Sequence, residues 1–173
     1  EWLLCDTLKY KRLDLYIKFE EPLHSKELKK FKNRLKRRIS GEPLQHIIGT
    51  ANYYGRDFIV NNNVLIPRPE TEIIIDRIKL LSNPKSILDV GTGSGCIAIT
   101  IAIENLAQNI YATDISSKAL DIAKENMILH NTSNIYFAQH DFLHSNFNKK
   151  FDAVVSNPPY ISKNDIDTLD PIV

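Results

Sequence analysis

The sequence predicts an α/β fold, an open parallel sheet represented by its first four strands and preceded by a small helical module and a β-hairpin. Three observations carry this prediction. From Pro67 onward, short apolar strand patterns alternate with helical ones, as parallel strands joined by crossover helices require. Before Pro67 the pattern is helical to about residue 40 and then turns β-rich around a glycine. Each predicted strand of the sheet also ends in a polar or glycine-rich segment, where ligands of such sheets bind.

The elements follow in chain order, in three expected parts: a helical domain over 1–40, a hairpin linker over 41–70, and a sheet domain over 71–173. Trp2, Leu3, Leu4 and Leu8 mark an amphipathic helix at the start. The basic stretch Lys26 to Arg38 carries Leu28, Phe31, Leu35 and Ile39 at spacings of three and four, which predicts one buried stripe with a charged back. Ser25 with Glu27 gives its capped start, and Ser40-Gly41 with Pro43 beyond gives its stop. Asn52-Tyr53-Tyr54 and Asp57 to Val60 flank Gly55-Arg56 as a hairpin, and Val64-Leu65-Ile66 reads as an appended strand. In the sheet domain, helices are expected over 71–81, 96–104 and 117–131, the last with Leu120, Ala123, Met127 and Ile128 inward. Strands are expected over 86–90, 109–113, 134–138 and 151–156.

Composition narrows the class. With 43% hydrophobic and 25% charged residues, the 173-residue chain has the make-up of an ordinary globular protein. No apolar run approaches the roughly 20 residues of a membrane helix. Cys5 and Cys96 offer no disulfide framework, which points to the cytoplasm. A net charge of +1 speaks against a nucleic-acid partner for the chain as a whole. The basic helix is either a solvated face or a local nucleic-acid patch. The chain starts without Met, inside a helix, and stops soon after a motif-bearing loop, so both ends read as cut. Its five histidines have no metal-ligand spacing, and no metal is expected.

Four consecutive loops assemble the candidate site. Gly91-Thr92-Gly93-Ser94-Gly95 follows Asp89 and lets backbone approach a ligand closely. A nicotinamide turn carries its third glycine one residue later; here Cys96 holds that position, which disfavours a dinucleotide. Asp114 ends the next strand, about where an acidic side chain meets a ribose hydroxyl pair. Asp89 either touches ligand or braces the loop; Asp141 either contacts ligand or caps a turn; Phe142 either faces ligand or packs in the core. Cys96, at a helix start, is either a small buried residue or a thiol of lowered pKa. Asn157-Pro158-Pro159-Tyr160 ends the fourth strand, and its two prolines fix the backbone and leave carbonyls available. An amide nitrogen is a poor methyl acceptor because its lone pair is delocalised. The Asn157 side-chain oxygen and the Pro158 carbonyl suit the task of holding such an NH2 group by both hydrogens, while the Tyr160 ring can stack on the planar acceptor.

Four segments together resemble one family: Gly41-Glu42-Pro43-Leu44-Gln45, Leu65-Ile66-Pro67-Arg68-Pro69-Glu70-Thr71-Glu72, Leu88 to Gly95, and Asn157-Pro158-Pro159-Tyr160-Ile161. In order and spacing they are similar to the HemK-type release factor glutamine methyltransferases, over essentially the whole chain. The resemblance implies a Rossmann-like class I S-adenosylmethionine-dependent methyltransferase domain behind a small helical domain and a hairpin. It implies S-adenosyl-L-methionine as cofactor, and as substrate the Gln of the Gly-Gly-Gln motif of class I peptide chain release factors. The protein is expected to act in the cytoplasm as a monomer. By position, Gly91, Thr92, Gly93, Ser94, Gly95 and Asp114 would hold the amino-acid and ribose parts of the cofactor. Asp89, Asp141, Phe142 (by the adenine) and Asn157 would join them, and Asn157, Pro158, Pro159 and Tyr160 would bind the substrate glutamine. Phe142 and His46 stand where the family often has Trp and Tyr. The competing expectations are an adenine N6 or guanine N2 amino-methyltransferase, which on duplex needs base flipping, and a non-catalytic cofactor-binding fragment.

Overall fold

A computed structural model of the chain describes residues 1–145 and 147–158. The described residues fall into two units that meet at Gly49–Thr50. The first holds four helices: α1 (Trp2–Leu8), α2 (Arg12–Ile17), α3 (Ser25–Ile39) and α4 (Leu44–Ile48). Ser25 is the first helical residue of α3 rather than its cap; the Glu27 carboxylate accepts from the His24 backbone N–H at 2.8 Å. The expected stripe of α3 is only half covered, since Leu28 and Leu35 are 38% and 39% exposed and Ile39 is 76% exposed. Its basic back is partly neutralised within the unit: Arg34 pairs with Asp6 of α1, and the Arg37 Nε donates to Glu42 Oε2 at 2.6 Å. Helix α4 occupies a stretch expected to be already β-like, and Gly49 ends it at φ +92°.

The second unit opens with β1 (Thr50–Tyr53) and β2 (Arg56–Ile59), an antiparallel hairpin. Tyr54 and Gly55 connect them, both with positive φ (50° and 73°), as a primed two-residue turn requires. No strand forms at residues 64–66. Asn61 turns the chain instead, its carbonyl accepting from Val64 N–H at 3.2 Å and its side chain from Asn63 N–H at 2.9 Å. Pro67 and Pro69 then lack the donors a ladder needs. The expected helix over 71–81 is a 3-10 turn, Pro69–Glu72, followed by α5 (Ile73–Lys79).

The sheet contains β3 (Ser86–Val90), β4 (Asn109–Asp114), β5 (Ile135–Gln139) and β6 (Ala153–Ser156), parallel throughout in the order β5-β4-β3-β6. Between them run α6 (Cys96–Ile103) and α7 (Ser117–Leu129). Helix α6 is apolar all round because it is enclosed; Cys96 through Ala102 are all buried. Ile87, Leu88, Ile99, Ile101 and Ile110, each at most 1% exposed, form the centre of the core. Asp152, just before β6, ties the strand to β3: its Oδ2 accepts from the backbone N–H groups of Lys85 and Ser86 at 2.9 and 2.8 Å. On α7, Leu120 and Ala123 point inward as expected, whereas Ile128 is 71% exposed. Its inward position is taken by Asn126, which is fully buried. No helix among the described residues is long and apolar enough to cross a membrane.

Candidate active site

The chain runs from β3 outward through β4 to β5, then returns to place β6 on the other side of β3. The connections therefore diverge at the carboxyl ends of β3 and β6, where an open α/β sheet leaves a crevice. A cleft of about 370 Å³ lies there, walled in part by Gly91, Gly93, Asp114, Asp141, Phe142, Asn157 and Pro158. Asp114 is fixed in this wall by two backbone groups. Its Oδ2 accepts from Gly93 N–H and its Oδ1 from Ser116 N–H, both at 2.9 Å. These bonds use two of the roughly four acceptor positions of a carboxylate.

The rest of the glycine loop turns away from the cleft. Thr92 and Ser94 are 5% and 2% exposed. The Thr92 hydroxyl donates to Asp89 Oδ2 at 2.7 Å, so Asp89 braces the loop from beneath. Asp89 is fully buried, and that burial pushes its carboxyl up to about 7, against the opposing pull of the Thr92 hydroxyl and the Ala98 N–H. Gly95 has φ +79°, and a Cβ there would meet Ala123 Cβ and Ile99 Cδ1 at 3.0 Å, so it lets α7 close on the start of α6. Cys96 is a packed residue; burial pushes its thiol up to about 12 although it opens a helix.

Asp141 does two things at once. It lines the cleft, and it caps a turn by accepting from Leu143 N–H at 3.0 Å. The hydrogen bond between its Oδ2 and His144 Nδ1, at 2.9 Å, holds its carboxyl below the usual range. Phe142 is 41% exposed in the cleft wall, its ring edge-on to His140 at 5.3 Å between centroids. Pro159 and Tyr160 lie outside the described residues.

Asn157 borders a second cleft as well, of about 380 Å³, shared with Arg68, Glu70, Thr71, Ile73, Ile74 and Ser156. The Asn157 Nδ2 donates to Thr71 Oγ1 at 3.1 Å. Thr71 is held from the hairpin: the Tyr53 hydroxyl donates to the Thr71 carbonyl at 3.2 Å, and Tyr54 N–H donates to Glu72 Oε1 at 2.8 Å.

Some residues of the site carry no signal in the sequence. Asn63, Val64 and Leu65 wall the first cleft from the connector after the hairpin. Asn126 does leave a trace, since it follows Ala123 by three positions and so falls on the inward face of α7. Its Oδ1 accepts from Ile59 N–H at 2.7 Å, and its Nδ2 donates to the Ile59 and Ser94 carbonyls, both at 2.9 Å.

A parallel β5-β4-β3-β6 sheet with a glycine loop after its central strand and an Asn-Pro turn after the returning strand is the Rossmann-like class I methyltransferase arrangement. The chain belongs to the methyltransferase small domain family, whose model matches residues 69–170, and residues 1–49 match the PrmC N-terminal domain. Among its relatives, the release factor glutamine methyltransferase of Staphylococcus aureus is 40% identical over 100% of this chain and 63% of its own length. That of Chlorobaculum tepidum is 43% identical over 98% of this chain and 62% of its own. The chain thus spans less than two thirds of these relatives. Among solved structures, the tRNA (uracil-54, C5)-methyltransferase of Pyrococcus abyssi, in complex with S-adenosyl-L-homocysteine, has a TM-score of 0.52 at 20% identity, covering 64% of this chain and 28% of that one. At that identity the likeness is one of fold.

Proposed function

We propose that the full-length protein transfers a methyl group from S-adenosylmethionine to the side-chain amide nitrogen of the Gln in the Gly-Gly-Gln motif of class I peptide chain release factors, acting in the cytoplasm as a monomer. The observation that carries this reading is the position of Asn157, a residue that borders two clefts at once. One cleft suits the cofactor and the other the acceptor. The names of relatives 40% and 43% identical over nearly the whole chain support the substrate.

The residues of the first cleft fit the cofactor. A Cβ built on Gly91 or Gly93 meets nothing within 4 Å, so their backbone is open to a close-lying ligand. Gly91 and Gly93 would take its amino-acid part, Asp114 the ribose hydroxyls and Phe142 the adenine, with Asp89, Thr92, Ser94 and Gly95 shaping the loop from behind. When bound, S-adenosylmethionine supplies an electrophilic methyl on its sulfonium. The protein's part is positioning: Asn157 Oδ1 and the Pro158 carbonyl accept the two amide hydrogens of the substrate and turn its nitrogen toward the cofactor cleft. Pro159 and Tyr160, the next residues of the motif, would complete that grip.

The test is incubation of the full-length protein with methyl-tritiated cofactor and, separately, a class I release factor or single-stranded nucleic acid. Label is expected in the release factor, and it should vanish when the motif's Gln is replaced. Asn157→Ala serves as the internal control, with turnover lost and cofactor affinity kept. Label in nucleic acid alone would overturn the reading.

A further inference from the structure

We propose that the outer face of helix α3 is a docking surface for single-stranded RNA, held by its phosphate backbone on five lysines. The near-neutral charge of the chain hides an uneven split. Residues 1–49 hold 12 of the 22 Lys and Arg but only 7 of the 21 Asp and Glu, a net +5, which leaves −4 on the rest. Much of the excess lies on α3, where eight of fifteen residues are basic and only Glu27 is acidic. The three arginines are engaged within the unit: Arg34 with Asp6, Arg37 with Glu42, and Arg38 with the Glu42 carbonyl at 3.1 Å. Lys26, Lys29, Lys30, Lys32 and Lys36 are exposed, and among the described residues their side chains make no ion pair or hydrogen bond.

At about 100° per residue the five lysines fall within about 160° of arc, opposite Leu28, Phe31, Leu35 and Ile39, and along about 15 Å of helix. Among them is Asn33, exposed, its side chain without a hydrogen bond among the described residues. A protein partner matches such a face poorly. Protein interfaces centre on aromatic and Arg anchors and are depleted in Lys; on α3 the apolar residues lie on the other side and the arginines are engaged. An anionic membrane matches no better, since α3 packs on α1 and α4 and the stripe that would enter the lipid is half covered. Phosphates require only mobile point charges, which lysines supply. A duplex is read by an element inserted into a groove, whereas a helix lying in a bundle offers one convex line of charge that a single strand can follow. Asn33 adds a donor and an acceptor to that line, and the ribose 2′-hydroxyl can meet both.

The test needs no cofactor. A fluorescent oligouridine RNA is titrated with the full-length protein and followed by anisotropy between about 50 and 200 mM salt. Four or five phosphate contacts predict that log affinity falls against log salt with a slope of about −3. Replacing Lys26, Lys29, Lys30 and Lys36 together by Gln should weaken binding about tenfold or more and flatten the slope to about −1. The thermal midpoint should stay, because the positions are exposed and Lys and Gln have similar helix propensities. Arg at the same four positions should bind like the wild type. So should a control with Lys85, Lys118 and Lys124, exposed in the second unit, changed to Gln. The matching oligodeoxyuridine should bind more weakly. No saturable RNA binding overturns the proposal, as does a four-site Gln variant that binds like the wild type or a control that loses as much. Equal affinity for the DNA strand, for polyglutamate of matching charge or for anionic lipid vesicles overturns the assignment to RNA. RNA held without being methylated supports the proposal and leaves the methyl-transfer reading in place, so the two fail separately.

Discussion

Asp89 is a carboxyl with no surface and one strong partner, and its environment sets a pH dependence with a definite sign. Its burial raises its pKa from 3.8 to about 7 in the folded protein. Below about pH 4 both folded and unfolded chains hold the proton, so nothing changes. Between about 4 and 7 the folded chain holds it and the unfolded chain has lost it, so stability falls as pH rises through that window and then levels. A tenfold difference in proton affinity between the two states corresponds to about 1.4 kcal/mol. Asp89→Asn should flatten this decline by a few kcal/mol, read as a smaller loss of the denaturant midpoint between pH 4 and 7. Identical slopes in the two proteins would mean that Asp89 is hydrated when folded. At this scale the sequence is informative where chemistry sits at a strand end. Asp89, Gly91, Gly93, Asp114, Asp141 and Asn157 can all be located by position alone. The contact of Asn157 with Thr71 cannot, because the two residues are 86 apart and nothing local marks it.

The elements are joined to the site by a few buried polar ties, and Asn126 is the clearest. It is fully buried, and its amide spends three hydrogen bonds on two elements, Ile59 of β2 and Ser94 of the glycine loop. Asn126→Ala leaves the Ile59 N–H and two carbonyls without these partners in a closed interior, which costs on the order of 3 kcal/mol. Asn126→Asp should be nearly as damaging, since a carboxylate cannot donate to either carbonyl. Chemical denaturation of the three proteins checks this; a loss under about 1 kcal/mol for Asn126→Ala would show that water replaces the amide. The elements themselves are legible where a period is sustained, as along α3, α7 and the strands of the sheet. They are obscured where a short apolar run meets turn chemistry. Val64-Leu65-Ile66 has strand composition, but Asn61 consumes the adjoining backbone donors and two prolines follow. Five residues, Leu44–Ile48, are too few for a helical period to stand out. Apolarity alone assigns Ile128 inward, yet the helical phase puts Asn126 there.

On the scale of the whole molecule, the sheet order creates a crevice but does not choose its ligand, because nicotinamide enzymes and methyltransferases both use strands that diverge on either side of the first. The choice lies in how the glycine loop is braced. The third glycine, Gly95, is held one residue before the dinucleotide spacing by the close approach of Ala123 and Ile99, and the next position is filled by the buried Cys96. The loop cannot shift to the longer spacing without parting α6 from α7. Gly93 N–H, which a pyrophosphate would seek, is instead engaged by Asp114 Oδ2 at 2.9 Å. That contact brings a negative charge to the loop, unfavourable for a diphosphate and suited to ribose hydroxyls and a cationic sulfonium. Calorimetry on the full-length protein should therefore give saturable binding of S-adenosylmethionine and none of NADH. Asp114→Ala should weaken the former by about 1.5–3 kcal/mol, the range for hydrogen bonds to a charged group. Part of that loss arises from the Gly93 and Ser116 N–H groups, which lose their acceptor, so Asp114→Asn, which keeps one oxygen, should bind with intermediate affinity. An Asp114→Ala protein with an unaltered Kd would remove the carboxylate from the ribose site, and saturable NADH binding by the wild type would show that the brace of the loop does not decide the ligand.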